Sequence, residues 1–551
     1  MSTAVNANRR KSIVILGGGF GGVYTALHLG KLLKREPNVD ITLINRENYF
    51  VFQPMLPEVI SGSVGIVDTI VPIRRLCPGV NLLTRDVEII DLDAKVITTS
   101  PGFWPQPRKL EYDYLLLALG TAMNFAGMPG LAEHGLPFKT LGDALFLRNR
   151  LLHILEEADI EEEQERRRTL LTFVVAGGGF SGVEAIAEIN DFVREAAKAY
   201  RRIDLKEIRV VLLHSGSRIL PELSEDLGNF AQRILERRKV EIRLKTSLAG
   251  ATGDYVLVKG GERIPTKTLV STVPVAPHPL LAALPCRTEK GRIVTNEFLE
   301  LPEFPGVWAV GDCAWIIDHK SGQPCPPTAQ HAIRQAKCIA VNIAAAIRGT
   351  ARRPFTYSSL GTVAALGHHS AVADILGVKV SGYLAWHLWR FVYFMKLPGL
   401  DRKLRVATDW LLDVILPMDI VQLKIARSAS ISHEHFEPGE AILRQGDWGD
   451  KVYIIMKGEV EVVREEPGKG EILLTKQGPG DCFGELALLS NTPRTATVRT
   501  VTAVDALTID RGAFNSLLAG FTPLRKIFEQ MSQERLKRDK ERLGIPEREL
   551  H

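Results

Sequence analysis

Ser12-Ile13-Val14-Ile15-Leu16-Gly17-Gly18-Gly19-Phe20-Gly21-Gly22 and Thr172-Phe173-Val174-Val175-Ala176-Gly177-Gly178-Gly179-Phe180-Ser181-Gly182 are two copies of one pattern, far apart in the same chain. Each apolar run reads as a buried parallel strand. Each glycine cluster opens a segment with helical apolar spacing: Val23, Ala26 and Leu27 in the first, Val183, Ile186 and Ala187 in the second. In such a turn the first glycine (Gly17, Gly177) allows the bend. The second (Gly19, Gly179) lets the backbone approach a pyrophosphate, and the third (Gly22, Gly182) lets the helix pack close to the strand. Two copies in strand-turn-helix context predict two dinucleotide-binding units.

A third apolar strand, Val307-Trp308-Ala309-Val310, ends in Gly311-Asp312 and returns after the second fingerprint. In two-dinucleotide flavoenzymes a carboxylate at this point hydrogen-bonds the ribityl chain of the flavin. The order fingerprint, fingerprint, Gly-Asp therefore predicts FAD on the first unit and a nicotinamide cofactor on the second, inserted one.

At 551 residues the chain is long enough for three or four domains. The net charge of +5 is small for this size and argues against a nucleic-acid partner. Six cysteines (Cys77, Cys286, Cys313, Cys325, Cys338, Cys482) are scattered, with no Cys-x-x-Cys pair and no cysteine-histidine cluster, so no metal site is expected and a reduced, cytosolic compartment is. His368-His369 and His433/His435 have no carboxylate or cysteine at metal spacing and read as packing or surface residues. The start, Met1 to Lys11, is polar, so no secretory signal is expected, and no apolar run reaches the ~20 residues that span a bilayer.

The charge run over 157–168 reads as a solvated helix end and linker. From about residue 356 the composition changes: Tyr383 to Met395 is dense in aromatics, and after Pro398-Gly399 a helical pattern puts Leu404, Ala407, Leu411, Val414 and Ile415 on one face. Beyond residue 430 the rhythm turns to β, with short strands predicted at 451–456, 459–463 and 471–475 in a small barrel or roll, and a charged helical tail from Leu524 to Arg548.

Over roughly residues 10 to 425 the chain resembles the type II NADH:quinone oxidoreductases, members of the pyridine nucleotide-disulfide reductase fold. The motifs that carry the resemblance are the two fingerprints, Asn48 to Leu56, Leu117-Ala118-Leu119-Gly120-Thr121, Gly311-Asp312 and Ala329-Gln330-His331-Ala332. The resemblance implies that Gln53 to Leu56, with Gly120, Thr121 and Asp312, approach the flavin. It also implies that Gln330 lies on the quinone side, and that Glu184 sits near flavin and nicotinamide, where the matching glutamate of the family is implicated in catalysis. The implied chemistry is hydride transfer from reduced nicotinamide to flavin, then electron transfer to quinone without proton pumping. Three positions depart from the family pattern. Asn45 replaces the acid that usually takes the FAD ribose, although an amide can still accept that bond. His214 replaces the acid of the nicotinamide unit, with Arg218 close by, which leaves NADH against NADPH open. Arg334 stands where many members carry a second glutamine.

Residues 383–416 match the membrane-docking region of that family. Trp386, Trp389, Tyr393 and Trp410 suit the headgroup interface and Arg390, Lys396, Arg402, Lys403 and Arg405 suit anionic lipid, while a dimer interface or helical core would bury the same faces. The C-terminal part resembles the cyclic nucleotide-binding domains through Phe483-Gly484-Glu485-Leu486-Ala487-Leu488 and Pro493-Arg494-Thr495-Ala496. By that resemblance Glu485 accepts from a ribose hydroxyl, the backbone at Gly484, Leu486 and Ala487 meets the cyclic phosphate, Arg494 supplies the countercharge and Thr495 adds a hydroxyl. One hydroxyl does not separate cAMP from cGMP.

The expected architecture is α/β: two Rossmann-type domains, an amphipathic helical docking segment and a β-roll with flanking helices. Its parts are an FAD-binding domain (1–160 and 291–355), a nicotinamide-binding domain (161–290), the docking segment (356–425) and the cyclic nucleotide-binding domain (426–551). The expected protein is a homodimeric, peripheral NAD(P)H:quinone oxidoreductase on the cytoplasmic face of the cell membrane, modulated by cAMP or cGMP. The alternatives are a flavin redox sensor carrying a cyclic-nucleotide module, and a sulfide:quinone oxidoreductase, which would need a pair of redox cysteines.

Overall fold

The computed structural model describes residues 10–100, 108–123, 128–272, 275–357, 361–416, 418–423, 431–447, 449, 451–466, 468, 470–490, 493–510, 514, 528, 530–531, 533–535 and 537. Lys11–Leu16 is the central strand of a five-stranded parallel sheet, in the order Val307–Ala309, Tyr114–Leu117, Lys11–Leu16, Val39–Asn45, Asn81–Thr84. Thr172–Ala176 holds the same place in a second parallel sheet, between Thr268–Ser271 and Arg209–Leu213. The unbroken apolar runs follow from burial on both faces: Ile13, Ile15, Leu16, Val174 and Val175 are fully buried. The chain leaves the first sheet after Tyr114–Leu117, builds the second, and returns through Val307–Ala309, which pairs with Leu115 to Leu117. The second unit is thus inserted into the first, and the chain closes the first sheet only after completing it.

Each fingerprint turns from strand into helix: α1 (Phe20–Leu32) in the first sheet, and later α4 (Phe180–Ala196) in the second. Between them in the chain lie the short α2 (Leu56–Ser61) and the long α3 (Leu141–Ile160), which begins in a Thr140/Asp143 capping box. The charge run ends α3 and forms a further short helix, Gln164–Leu170, with no buried residue. Gly17 and Gly177 have φ of 106° and 122°, the left-handed region that favours glycine. A Cβ on Gly22 would lie 1.8 Å from the carbonyl oxygen of Gly17, and one on Gly182 would lie 1.8 Å from that of Gly177. A Cβ on Gly19 would meet nothing within 4 Å, so the mouth of the turn is open where a pyrophosphate is expected.

Helix α5 (Ala329–Arg348) packs along α1. A three-stranded antiparallel sheet (Gly361–Ala365, Ala371–Ile375, Val378–Gly382) then leads into α6 (Tyr383–Lys396) and α7 (Leu400–Ile415). Here the structure corrects the sequence reading. Trp386 and Trp389 are 5% and 1% exposed, Tyr393 and Trp410 are partly buried, and Arg390 and Arg402 point inward to carboxylates. Buried rings can pack on the antiparallel sheet and on each other, an option the residue types alone did not exclude. The outward face is apolar and mostly aliphatic: Leu384, Phe391, Met395, Leu400, Leu404, Leu411, Val414 and Ile415 are all exposed. No described helix is long and apolar enough to cross a membrane.

The C-terminal part is two four-stranded sheets, Ile431–Phe436 with Val504–Asp510, Lys451–Lys457 and Cys482–Phe483, and Ala441–Leu443 with Thr497–Thr500, Val460–Glu466 and Gly470–Gln477. They close over Phe436, Tyr453, Ile455, Val460 and Phe483, and α8 (Glu485–Ser490) crosses their end. Most of the expected tail over 524–548 lies outside the described residues; those described within it are helical.

The glycine contacts predict opposite signs for two alanine substitutions on one helix. Gly22→Ala forces a methyl into a carbonyl and should destabilise the first unit by about 3 kcal/mol or more. Gly30→Ala, whose Cβ would meet only Val80 Cγ2 at 3.8 Å, should stabilise it by about 0.5–1 kcal/mol. Thermal unfolding of the two variants measures both.

Candidate functional site

The two turns hold their neighbours in the same way. The Gly18 N–H donates to Asn45 Oδ1 at 2.8 Å, and the Gly178 N–H donates to His214 Nδ1 at 3.1 Å. In both units the side chain that ends the second strand therefore braces the turn. Asn45 Nδ2 donates in turn to the Glu47 carbonyl, which fixes the amide orientation. An acceptor at Nδ1 places the imidazole proton of His214 on Nε2. The second unit thus presents an N–H donor where an acid would present a carboxylate. Arg218 follows on the same loop, with Nη2 on the Pro221 carbonyl.

At the C-terminal edge of the first sheet Gly120 and Gly311 both take positive φ, 65° and 73°, so Thr121 and Asp312 turn into the crevice. Lys139 reaches in from the start of α3 and donates to the carbonyl and, at 2.7 Å, to the hydroxyl of Thr121. Burial pushes Asp312 above the usual carboxylate range, against the pull of Lys139 and Arg292; burial likewise pushes Lys139 down, against Asp312 and Asp143. Lys139 was missed in the sequence because it sits between elements, in no motif. Its only signal is a lone cation just before the Thr140 cap.

Gln53 is exposed and Pro54 half-buried, while Met55 and Leu56 turn into the core, so the front of this segment presents only the first two residues. Phe52 meets Tyr393 of α6 edge-on at 6.0 Å. Gln330, in the first turn of α5, donates to the Tyr357 hydroxyl, and Arg334 lies over the Tyr357 ring at 5.5 Å. Arg334 therefore replaces an amide by a cation stacked on a phenol.

Glu184 is 8% exposed and accepts from the Ala365 N–H at 3.1 Å. Burial, with the nearby Glu58 charge adding to it, pushes its pKa up to about 8. Glu58 is also buried, and its Oε2 accepts from Trp410 Nε1 at 3.2 Å; burial outweighs Arg390 and lifts its pKa to about 7. Glu188 is buried too and is pushed well above the carboxylate range by burial and by Asp191, Glu58 and Asp413. Sequence reasoning found Glu184 and missed the other two. The signal was present: Glu184 and Glu188 stand four residues apart, hence on one face, in a helix whose neighbouring positions are apolar.

In the C-terminal part Arg494 is 5% exposed and donates to the carbonyls of Gly484 and, at 2.8 Å, Lys451. Gly484 has φ 88° and leaves just enough room for that guanidinium. Glu485 is 1% exposed and accepts from Arg535 at 2.7 Å, a tail residue that the sequence reading did not single out. Ala487 is buried, Leu486 partly so, and Thr495 is exposed. The histidines are better partnered than their spacing implied: His368 Nε2 lies 3.5 Å from Asp413, and His435 Nδ1 2.6 Å from Asp505, both carboxylates remote in sequence. No group of three or more metal-ligating side chains exists among the described residues.

Three family models match the chain: pyridine nucleotide-disulphide oxidoreductase over residues 11–336, NDH2 C-terminal domain over 360–416 and cyclic nucleotide-binding domain over 433–521. The chain is 33% identical over 420 residues to the type II NADH:quinone oxidoreductase NdhA of Mycobacterium tuberculosis, covering 73% of this chain and 86% of that one. It is 32% identical to demethylphylloquinone reductase NdbB of Synechocystis, covering 73% and 96%. The fold matches that of NDH2 from Plasmodium falciparum, solved in complex with NADH, with a TM-score of 0.68 at 20% identity over 75% of this chain and all of that one. A sulfide:quinone oxidoreductase from Aquifex aeolicus matches less well, with a TM-score of 0.57. With more than half of its length under one family model and a type II relative above 30% identity, the chain belongs to the pyridine nucleotide-disulphide oxidoreductases, as a type II NADH:quinone oxidoreductase that carries a cyclic nucleotide-binding domain.

Proposed function

We propose that the chain is an FAD-dependent NAD(P)H:quinone oxidoreductase that docks on the cytoplasmic face of a membrane through residues 383–416 and is modulated by cAMP or cGMP. The observation that carries the reading is the inserted second unit, after which the chain returns to the first sheet at Gly311-Asp312 beside Thr121 and Lys139. Gly17, Gly19 and Gly22 would hold the FAD pyrophosphate at the α1 amino end, with Asn45 at its ribose and Thr121, Lys139 and Asp312 at the ribityl side. Gly177, Gly179, Gly182 and His214 would hold the nicotinamide cofactor. Bound there, the flavin takes a hydride and passes two electrons on, so the protein need only bind, orient and supply protons. Gln53, Gln330 and Glu184 would line the place where the two rings and the quinone meet. The six cysteines are all free, and burial lifts the Cys313, Cys325 and Cys338 thiols to about 11, the wrong direction for the redox pair of a sulfide oxidase.

The exposed aliphatic ridge of α6 and α7 supports docking, because its polar face is already used against the protein. Asp409 accepts from the Gly65 N–H, Trp410 donates to Glu58, and Arg402 pairs with Asp68. What remains outward is mostly apolar, with Lys396, Lys403 and Arg405 beside it, the composition that a lipid interface takes up.

Coupling to the barrel has a physical route. Arg148 on α3 is 7% exposed and clamps two carbonyls, that of Ile60 at 2.9 Å and that of Asp419. Asp419 lies on the connection to the barrel, and Ile60 on α2, which starts at the turn that would face the flavin. On the other side the His435 carbonyl lies 3.4 Å from His134 Nε2. A nucleotide that binds two arrangements of the barrel differently would shift that connection, with typical coupling of about 1–3 kcal/mol.

Steady-state oxidation of NADH and NADPH with a soluble quinone analogue, with and without cAMP, tests the reading. Turnover of at least one reductant is expected, and turnover of neither by flavin-loaded protein overturns it. His214→Glu should lower the NADPH:NADH ratio of kcat/KM by about tenfold or more, since a carboxylate there repels a 2′-phosphate. Leu404→Asp with Leu411→Asp should release the protein from anionic liposomes in a sedimentation assay, and retention would place the anchor elsewhere. Arg494→Ala should abolish cyclic-nucleotide binding by calorimetry while the flavin content stays intact.

A further inference from the structure

Two cations without a counter-charge stand at the first turns of α5, the helix that packs on Gly311-Asp312. That packing is close: the Gly311 N–H donates to Gln335 Oε1 at 3.0 Å, and a Cβ on Gly311 would lie 3.5 Å from that of Ala332. Gln330 and Arg334 are one turn apart on α5 and reach the same side chain, Tyr357. Gln330 donates to its hydroxyl, and the Arg334 guanidinium lies over its ring at 5.5 Å. Tyr357 is itself anchored, because its N–H donates to Asp318 Oδ1 at 2.9 Å and the His331 ring meets it edge-on at 5.2 Å. Lys396, in the last turn of α6, brings the second cation to this place. Desolvation and then the Arg334 charge push its ammonium below the usual lysine range.

Among the described residues, neither Arg334 nor Lys396 forms an ion pair with a carboxylate. Asp318, whose charge reaches His331, is spent on the N–H groups of Tyr357 and, at 2.8 Å, Ser321. Burial holds His331 below the usual histidine range, so the imidazole adds no third charge near neutral pH. Both cations are exposed, and two like charges near enough to act on each other gain from an anion placed between them.

We propose that Arg334, with Lys396, selects an electron acceptor that carries a negative charge: a quinone with an ionised group beside its ring, such as a ring hydroxyl or a carboxylate. The proposal rests on the oxidoreductase reading above, in which Gln330 faces the quinone, and it names the class of acceptor. A glutamine at position 334 would offer a neutral amide, which meets a quinone carbonyl and is indifferent to the charge of the ring's substituents. A guanidinium offers a planar fork of N–H donors and a permanent charge, the match for a carboxylate or a phenolate. Stacking on Tyr357 uses the face of the guanidinium, whereas the donors lie along its edge. The stack also holds the long side chain in place, so less ordering remains to be done when the acceptor arrives. Lys396 adds a point charge without direction, which strengthens the attraction and leaves the geometry to Arg334.

The test compares two soluble acceptors that share a ring system and differ in charge, naphthoquinone sulfonate and menadione. It uses full-length, flavin-loaded protein in lipid-free buffer, with NADH and with NADPH. Wild-type kcat/KM for the sulfonate should fall as salt rises from about 20 to about 500 mM, and that for menadione should not, because exposed charges are screened. Arg334→Gln should lower the sulfonate:menadione ratio of kcat/KM by about tenfold, mainly through KM, and Lys396→Gln should lower it by about two- to fivefold. The different reduction potentials of the two acceptors cancel when variants are compared. Arg334→Lys, which keeps the charge and loses the fork, should fall between wild type and Arg334→Gln. Lys337→Gln removes the same charge from α5 where it acts on His28 of α1 instead, and should leave the ratio within about twofold of wild type. Flavin absorbance of each variant guards against misfolding. An unchanged ratio in Arg334→Gln overturns the proposal and leaves the oxidoreductase reading standing. Turnover of neither acceptor by flavin-loaded wild-type protein overturns that reading and the proposal with it. An unchanged ratio together with loss of sedimentation on anionic vesicles would assign the two cations to a lipid headgroup, and overturns the acceptor proposal equally.

Discussion

The tightest constraint in the molecule is a backbone-to-backbone contact made twice. The Cα of Gly22 sits against the carbonyl of Gly17, and that of Gly182 against the carbonyl of Gly177, so closely that any side chain atom would overlap the oxygen. This contact sets the height of each helix over its sheet and aims the helix amino end along the crevice at the strand ends. Everything that makes a dinucleotide site follows from it: the open mouth at Gly19, the brace from Asn45 or His214 to the next glycine, and the turning-in of Thr121 and Asp312 from neighbouring strands. Because both contacts are alike, the two units differ only in what stands at their rims. There the first unit carries an amide and a lysine, and the second an imidazole and an arginine.

Between the units the sequence inverts the usual rule for amphipathic helices. In α7 the charged side chains Arg402, Asp409 and Asp413 face the protein, and Leu404, Leu411, Val414 and Ile415 face out. Burying charge is costly unless each charge is met, and here each is, by Asp68, the Gly65 N–H and Arg390. Such an arrangement is poor economy for a surface helix in water. It also places the Arg390 cation between the buried Glu58 and Asp413 carboxylates.

How far all this was legible depends on whether the physical signal is local. The glycine turns were, since the bend, the approach and the close packing each act within six residues. The insertion was too, because Gly311-Asp312 is a strand end that only the first sheet could accept. The direction in which α6 and α7 face was not. Tryptophan and arginine suit both a lipid interface and a packed core, and only the antiparallel sheet over 361–382 decides between them. Lys139, Glu58 and Arg535 were invisible for a related reason: each acts across the fold, on Thr121, Arg390 and Glu485 respectively, and no short spacing encodes such pairs. Glu188 lay between the two cases, legible as a like-charge neighbour of Glu184 but meaningful only once burial was known.

The same distinction bears on the barrel. Its cassette reads directly from Gly484, Glu485 and Arg494, yet in the folded chain the two charged groups are engaged by the chain itself, Arg494 by two carbonyls and Glu485 by Arg535. A cyclic nucleotide entering there must exchange those contacts rather than fill a neutral space. A buried carboxylate does not give up a guanidinium without another donor, so a ribose hydroxyl has to share or displace Arg535. Binding there would thereby be tied to the position of Arg535. The barrel touches the chain at His134, just before the strand Gly135–Pro137 that joins the second sheet, and its connection is clamped by Arg148 onto the Ile60 carbonyl of α2. Under the proposed function, a rearranged barrel would be felt by the rest of the chain at these two contacts.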